Sequence, residues 1–320
     1  MKRLLLLAIT LFVAACHANI VIGQENSARD RLLVAIGLGD QKAVLKILSG
    51  RHHVNLNHRT IEDGDTFLIQ AIRAEQTDIV RLLLNHGANA HLREITGYDE
   101  HDNPILGDTP LAAALDLDSV EMVRLLIQHG VKLRDNPACL HASRSIEMLR
   151  FLLDHGAPVD GRDENGSTYL QTAVKDGDLD DVARLLIERG ANVNIADDEG
   201  ATPLLRVDSV KMAQLLIEHG ARVNAADRDG LTPLHLAAFE SENIELAKLL
   251  IAHGADVNAG NREGYTPLDI LVADAWDYDF ALLLVRNGAR VNEYLVKEHR
   301  LVEEFEEIRR AIAGGQNRER

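Results

Sequence analysis

Seven glycines recur along this chain, and each closes a segment that contains an apolar run such as Leu185-Leu186-Ile187. The glycines are Gly87, Gly130, Gly156, Gly190, Gly220, Gly254 and Gly288. The last three intervals between them are 30, 34 and 34 residues long. A threonine-proline pair lies twelve residues after three of them, at Thr202-Pro203, Thr232-Pro233 and Thr266-Pro267. The glycine and the threonine-proline pair recur at a nearly constant period, which predicts a repeat array with one structural unit per period.

Each period is predicted to be a helical hairpin. Threonine is a favourable helix N-cap, and proline is tolerated at the first helical position, so Thr-Pro indicates a helix start. A polar turn and a second amphipathic segment follow, and glycine then permits the left-handed conformation that ends a helix. One hairpin cannot bury its own apolar face, whereas stacked copies form a continuous core. Polar residues recur eleven positions before the glycine position, where the second helix begins, and are predicted N-caps: Asp40, Ser119, Ser145, Ser209, Asn243 and Asp277.

The segment Thr232-Pro233-Leu234-His235-Leu236-Ala237-Ala238 resembles the T-P-L-H-x-A start of the ankyrin repeat, whose period is about 33 residues. A Val-Asn pair also recurs after the last four glycines, at Val193-Asn194, Val223-Asn224, Val257-Asn258 and Val291-Asn292. Aligning the units on their glycines gives about eight repeats in residues 29–293. The resemblance implies an all-α solenoid of stacked helical hairpins with short β-hairpin-like fingers. It also implies binding of a protein partner, without saying which one.

Three repeats depart from the pattern. The first has Arg51 at the glycine position, as expected of a terminal capping repeat. The fourth starts at Asn136-Pro137, only six residues after Gly130, so its finger is nearly absent. The sixth has eighteen residues from Thr202 to Gly220, where its neighbours have twenty-two. A loss of four residues removes about one helical turn, which predicts a retained core and an altered groove.

The last repeat is followed by one more amphipathic segment. Its apolar residues lie at intervals of four, three and four, which is helical spacing. They are Leu301, Phe305, Ile308 and Ile312. The spacing predicts a C-terminal capping helix over residues 294–313, and the polar residues 314–320 are predicted to be a disordered tail.

The N-terminus is predicted to be an export signal over residues 1–15. Lys2 and Arg3 precede a ten-residue apolar stretch, which is too short to cross a hydrocarbon core of about 30 Å as a helix. Val13-Ala14-Ala15-Cys16 resembles the lipobox of bacterial lipoproteins, which implies cleavage before Cys16, attachment of a diacylglyceryl group with acyl chains such as palmitate to its sulfur, and a tether over residues 16–28. By the same resemblance, His17 favours the outer membrane, with the protein facing the periplasm. The alternative is cleavage near Ala15 or Ala18, which would release a soluble periplasmic protein.

The charge balance restricts the class of partner. The chain has 34 basic and 50 acidic residues and a formal net charge of −16. Such a surface repels phosphate, so nucleic acid is excluded as a partner, and only a lipid anchor would attach the protein to a membrane. We expect a monomer that binds a protein. With Cys16 lipidated, Cys139 has no intrachain partner and is predicted to be a buried thiol.

No catalytic motif was found, so the chain is predicted not to be an enzyme and to need no cofactor. It lacks a phosphate-binding glycine loop, a His-Glu-x-x-His pair, a Cys-x-x-Cys pair and a nucleophile elbow. Histidine precedes five of the glycines, where it can bond the last carbonyls of a helix. The weak metal-ligand candidates are His52, His53, His58, His91 and His101. Nothing in their spacing fixes a ligand set.

Three surfaces are candidates for partner binding. Between Gly87 and Thr109 about ten residues are inserted relative to a regular finger, and insertions in repeat proteins often form the binding face. The candidate residues there are Tyr98, Asp99, Glu100, His101 and Asp102. A second candidate is an acidic lip at the inter-helix turns that would steer a basic partner, represented by Asp176, Asp180 and Asp181. The alternative for this lip is a solvated face without a partner.

The third surface is the aromatic pair Trp276 and Tyr278. If exposed, the pair would be an interface anchor. If buried, it would seal the stack against the capping helix, and we favour this packing role.

Together these features predict a membrane-anchored interaction module that acts as a scaffold, a protective accessory or an immunity-type inhibitor. The alternatives are a periplasmic metal-binding protein and a secreted effector directed at a host.

Overall fold

The computed structural model describes residues 28–50, 54–58, 64–99, 104–175, 179–207, 209–240, 243–274 and 276–316. Contacts between Cα atoms divide the chain into two compact units, Met1–Pro158 and Val159–Arg320. The described residues of both units are mostly helical, which confirms the predicted all-α repeat fold. None of the described helices is both long enough and apolar enough to cross a membrane.

The first unit consists of paired helices with one small antiparallel sheet among its described residues. The α-helices are α1 (Ala28–Gly37), α2 (Gln41–Leu48), α3 (Phe67–Arg73), α4 (Thr77–Asn85), α5 (Pro110–Asp116), α6 (Val120–Gln128) and α7 (Ile146–Asp154). The strands β1 (Ile95–Tyr98) and β2 (Pro104–Leu106) form the sheet. In the fourth repeat, 3-10 helices at Leu133–Asp135 and Pro137–Leu140 replace a regular first helix.

The second unit repeats the same helical hairpin. Its α-helices are α8 (Tyr169–Lys175), α9 (Asp180–Glu188), α10 (Val210–Glu218), α11 (Pro233–Phe239), α12 (Ile244–Ala252), α13 (Pro267–Asp274), α14 (Tyr278–Arg286), α15 (Glu293–Glu298) and α16 (Val302–Gln316). In the sixth repeat the first helix is a single 3-10 turn, Pro203–Leu205. The loss of one turn that the sequence predicts is therefore present.

Two of the three threonine-proline starts named from the sequence act as helix caps: Thr266 Oγ1 accepts the backbone N–H of Asp269 at 3.2 Å, and Thr232 forms a capping box with His235, whereas Thr202 makes no side-chain capping bond. Two further threonines cap helices of the first unit. Thr66 Oγ1 accepts the backbone N–H of Ile69 at 3.2 Å, and Thr109 Oγ1 accepts that of Ala112 at 3.0 Å. Five of the six predicted polar caps make the equivalent bond, which satisfies an amide that has no partner within its helix. They are Asp40, Ser119, Ser145, Ser209 and Asp277. Asn243 precedes α12 without a side-chain capping bond.

The predicted stop signals are also confirmed. The seven recurring glycines have φ between 86° and 98°, a left-handed conformation in which a Cβ atom would be strained. The five histidines before them each hydrogen-bond through Nδ1 to a carbonyl oxygen four residues earlier, at 2.8–2.9 Å. These histidines are His86, His129, His155, His219 and His253. They satisfy carbonyl groups at the helix ends and are therefore structural.

The recurring asparagines connect successive repeats in the second unit, a role that the sequence pattern alone did not assign. Asn224 Oδ1 accepts the N–H of Asp256 at 2.8 Å, and its Nδ2 donates to the carbonyl of Gly254 at 2.9 Å. The corresponding bonds of Asn194 and Asn258 are 2.8–3.0 Å long. Asn292 lies after the last recurring glycine and instead caps α15.

The C-terminal region differs from the prediction of one capping helix over residues 294–313, because the structure has two helices there, α15 and α16. They are separated by Arg300, whose φ of 59° places it in the left-handed region. The predicted apolar stripe is nonetheless correct for its described central residues, since Phe305 and Ile308 are fully buried. Helix α16 also continues to Gln316, into the segment predicted to be a disordered tail.

Candidate functional site

The insertion after the second repeat forms a β-hairpin. Strands β1 and β2 pair antiparallel, with Tyr98 opposite Pro104. Three large apolar side chains of the hairpin are exposed to solvent: Tyr98 by 64%, Ile105 by 48% and Leu106 by 48%. Asp99 follows β1, whereas the candidate residues Glu100, His101 and Asp102 lie outside the described residues. The described strands of the insertion therefore carry three exposed apolar side chains, with Ile105 and Leu106 on opposite faces of the two-stranded sheet.

A cluster of one arginine and three carboxylates lies where the hairpin leaves the helical stack. Arg73 Nη1 contacts Asp65 Oδ1 at 2.8 Å, and Arg73 Nη2 contacts Glu94 Oε2 at 2.7 Å and Asp108 Oδ2 at 3.3 Å. The backbone N–H of Asp108 donates to Glu94 Oε1 at 2.9 Å. Asp65 and Glu94 are buried. Because Glu94 precedes β1 and Asp108 follows β2, this cluster holds both ends of the hairpin.

The two buried carboxyl groups of the cluster have opposite pKa shifts. Burial, together with a hydrogen bond to Glu94, raises the pKa of Asp65 to about 7. Burial also disfavours ionised Glu94, but the amide of Asp108, the Asp65 carboxyl group and the Arg73 guanidinium outweigh it and lower the pKa of Glu94. One arginine therefore stabilises ionised Glu94, while Asp65 takes up a proton near neutral pH.

The backbone also approaches closely at the base of the hairpin. The N–H of Ile95 donates to the carbonyl of Gly64 at 3.2 Å. A Cβ atom on Gly64 would lie 1.8 Å from the carbonyl oxygen of Ile95, and Gly64 has a φ of 66°. Only glycine fits at this position. This cluster and this contact could not be predicted from the sequence, because their residues are distant along the chain.

The described residues of the acidic lip are partly neutralised. Asp180 Oδ2 contacts Lys211 Nζ at 2.6 Å, and Asp181 is exposed in the first turn of α9. In the first unit, Asp116 Oδ1 likewise contacts Arg144 Nη2 at 3.0 Å. Asp176 lies outside the described residues. Of these described carboxylates, Asp180 and Asp116 therefore already have cationic partners, and Asp181 is exposed.

Trp276 packs against the last helix, α16. Its ring centroid is 5.3 Å from that of Phe305 in α16, and the two ring planes are tilted by 49°. Tyr278, the first residue of α14, is half-buried. This contact with a fully buried phenylalanine favours the packing role of the pair over an interface anchor.

The metal and cysteine candidates have different outcomes. Among the residues that the structure describes, which include His58 and His91, no group of three or more His, Cys, Asp or Glu side chains is arranged to hold a metal ion. His52, His53 and His101 lie outside the described part of the chain, as does the lipidation candidate Cys16.

Cys139 is buried as predicted, and burial raises the pKa of its thiol to about 11.

The second unit contains an open polar groove with a volume of about 1020 Å³. Its lining residues come from the fingers and first helices of the repeats, and include Glu164, Lys175, Asp198, Glu199 and Arg228. At one edge of the groove, Arg206 Nη2 contacts Asp197 Oδ2 at 2.8 Å and also contacts Glu199. Because Asp197 is buried, this pair fixes Arg206 in place.

Comparisons with known families agree with this architecture. A family model described as ankyrin repeats (3 copies) matches residues 32–136 and 204–294, and one described as ankyrin repeats (many copies) matches residues 152–204. Repeated helical hairpins with capped starts and glycine ends define a helical-repeat protein. The chain belongs to the ankyrin repeat family. No curated protein matches it.

Proposed function

We propose that this chain is an interaction module of about eight ankyrin repeats that is lipid-anchored in the bacterial cell envelope, faces the periplasm and binds a protein partner. The observation that supports binding most strongly is the set of exposed apolar side chains on the paired strands Ile95–Tyr98 and Pro104–Leu106, whose base is held by the Arg73 cluster. Ankyrin repeats are generic protein-interaction modules. The candidate roles are a scaffold, a protective accessory to an envelope enzyme and an immunity-type inhibitor.

The hairpin suits recognition because its base is held before a partner arrives. Asp65, Arg73, Glu94 and Asp108 join the two strand ends to the helical stack. A preorganised loop loses less conformational entropy on binding, so more of the contact energy remains as affinity. Burial of Tyr98, Ile105 and Leu106 against a partner would supply that contact energy.

The anchoring part of the proposal is supported by the sequence alone. The basic residues, the short apolar stretch and Val13-Ala14-Ala15-Cys16 follow the order of a lipoprotein signal. A partner would then be met at the membrane surface, because an extended tether over residues 16–28 spans at most about 3.6 Å per residue. The net charge of −16 favours a basic partner through long-range attraction.

Cross-linking in cells tests the binding site. The anchored protein would be cross-linked and its captured protein identified, first for the wild type and then for a Tyr98→Ser, Ile105→Ser, Leu106→Ser triple variant. We expect the triple variant to lose the captured protein and to keep its thermal stability, because all three side chains are exposed.

A matched control is available in the same unit. Leu38 and Leu45 are exposed by 57% and 45% and belong to the turn after α1 and to α2, not to the hairpin strands. The Leu38→Ser, Leu45→Ser variant should retain the captured protein. Retention by the hairpin variant as well would reject the hairpin as the binding site.

Fractionation tests the anchor separately. Cys16→Ser should move the protein from the membrane fraction to the soluble fraction or stop its processing. A wild-type protein that is already soluble and begins after Ala18 would refute lipid anchoring and leave the binding proposal intact.

A further inference from the structure

In the second unit, a polar side chain of the first helix joins one repeat to the next at two junctions. The residue lies three positions after the threonine that starts the repeat, and it is Gln171 in repeat five and His235 in repeat seven. Each side chain bonds back to its threonine. Each also donates to a carbonyl of the following repeat, from Gln171 to Ala201 at 2.7 Å and from His235 to Tyr265 at 3.0 Å. These bonds tie repeat five to six and repeat seven to eight on the side of the first helices.

Repeat six has a leucine at this position and lacks the bridge. The side chain of Leu205 cannot form hydrogen bonds, and it belongs to the single 3-10 turn Pro203–Leu205. The threonine that starts the repeat is affected directly. Thr202 is 7% exposed, and its Oγ1 atom is buried and has no hydrogen-bond partner among the described residues. A buried hydroxyl without a partner destabilises the packed state of this repeat.

The packing between repeats six and seven is also incomplete. A cavity of about 180 Å³ is lined by both repeats. Leu204, Leu205 and Val207 line it from repeat six, and Pro233 and Ala237 line it from α11, the first helix of repeat seven. Side chains on opposite walls of a cavity lose the dispersion contacts that close packing would give them. Fewer contacts therefore hold the first helices of these two repeats together.

The other side of the same junction keeps the bonds that the neighbouring junctions also have. The N–H of Arg228 donates to the carbonyl of Glu199 at 2.9 Å, which links the two fingers. Asn224 bonds the carbonyl of Gly254 at 2.9 Å and the N–H of Asp256 at 2.8 Å, after the second helices. The junction is therefore bonded on one side, whereas the side of the first helices has a cavity and an unpaired hydroxyl.

We propose that the junction between repeats six and seven is a hinge of the second unit, whose first-helix side opens while the finger and asparagine bonds hold the other side. Opening breaks no side-chain bridge here, whereas it would break one at the junctions made by Gln171 and His235. Because each repeat of a stacked array contacts only its neighbours, movement at one junction leaves the helical hairpins intact. The hinge is a property of the free chain and goes beyond the proposed binding function.

Thiol labelling measures this opening on the full chain. Ala237→Cys places a thiol at the cavity, where the native side chain is 2% exposed. Adding Leu205→Gln supplies the side chain that Gln171 provides in repeat five. We expect it to slow labelling of the new cysteine by N-ethylmaleimide at least about tenfold, because one added hydrogen bond between repeats changes the opening equilibrium by about that factor. The matched Leu205→Met keeps the volume and cannot form the bridge, so it should leave the rate unchanged.

The native thiol of Cys139 serves as an internal reference, because it is buried in the first unit. Mass spectrometry reads the labelling of each cysteine separately, and the rate at Cys139 should be the same in all three proteins. Equal labelling of the introduced cysteine in the glutamine and methionine variants would overturn the hinge.

A second pair of variants decides the outcome if Leu205→Gln fails to fold. Thr232→Val removes a hydroxyl that is bonded to His235, so it should lower the urea midpoint of unfolding. Thr202→Val removes the unpaired hydroxyl at nearly the same shape and should not lower the midpoint. An equal lowering by both variants would show that the Thr202 hydroxyl is paired and would overturn the hinge. Partner capture enters none of these measurements, so a failure of the proposed function leaves them unaffected.

Discussion

His235 provides a sharp test of how neighbouring repeats are joined, because its side chain is fully buried and makes three hydrogen bonds. Its Nδ1 accepts the N–H of Thr232 at 3.1 Å and the Thr232 hydroxyl at 2.8 Å. Its Nε2 donates to the carbonyl of Tyr265 in the next repeat at 3.0 Å. One imidazole thus caps α11 and bridges two repeats, which makes His235 an architectural residue.

His235→Ala should destabilise the second unit strongly. The Tyr265 carbonyl and the Thr232 donors would lose their partner inside the protein, and each unsatisfied buried group costs about 1–3 kcal/mol. With the cavity left by the ring, we expect a loss of about 3–5 kcal/mol in the free energy of unfolding. Urea denaturation followed by circular dichroism measures this loss.

A matched substitution comes from the fifth repeat. Gln171 Oε1 accepts the N–H and the hydroxyl of Thr168 at 2.8 and 3.2 Å, and its Nε2 donates to the carbonyl of Ala201 at 2.7 Å. Glutamine therefore makes the same three bonds as His235. His235→Gln should cost less than about 1.5 kcal/mol of unfolding free energy, because an exchange that conserves the side-chain volume and retains its contacts is well tolerated.

The pH dependence of the free energy of unfolding gives a second comparison between the wild type and His235→Gln. Burial lowers the pKa of His235 below its ordinary value of 6.5. Its stabilising contribution is therefore complete above about pH 6.5 and is lost as the pH falls below that value, because the unfolded chain takes up the proton first. The wild type should lose stability relative to His235→Gln between about pH 6.5 and pH 5. Equal losses for the alanine and glutamine variants, or no relative change with pH, would refute this role of His235.

Three further predictions concern stability and are measured by urea denaturation. Leu250→Ala should cost about 2–5 kcal/mol, and Leu249→Ala should cost clearly less, because Leu250 is fully buried and Leu249 is only half-buried; equal costs would contradict the burial difference. Asn224→Ala should cost about 1–2 kcal/mol through its two inter-repeat bonds, and an unchanged midpoint would show that they contribute little. Asp65→Asn should gain stability relative to the wild type as the pH rises through about 7. Because the pKa of Asp65 is raised from 3.8 to about 7 on folding, its contribution to the free energy of unfolding is complete below about pH 3.8 and is lost as the pH rises through about 7. Parallel pH profiles of the two proteins would contradict that pKa shift.

The sites differ in how far the sequence could predict them. The position of the hairpin followed from counting residues between Gly87 and Thr109, since an insertion is visible against a regular period. Its strands were not predicted, because Ile95–Tyr98 is short and lacks a strong alternating pattern. The deletion in the sixth repeat was also visible, but only the tertiary structure shows that Leu205 and Phe239 line a common cavity.

The amino-acid sequence by itself determined the repeat period, the helix starts and the helix ends. Their causes are local: a threonine or serine bonds an amide three residues ahead, and a histidine bonds a carbonyl four residues behind. Such contacts depend only on spacing along the chain, so they can be inferred before any fold is known.

Only the tertiary structure decided which polar residues became buried partners. Arg73 meets Glu94 and Asp108 although they are 21 and 35 residues further along the chain, and His235 meets Tyr265 across 30 residues. The pKa of Asp65 and the bridging role of His235 follow from burial among these distant groups, because desolvation and a shared proton depend on where side chains lie in space.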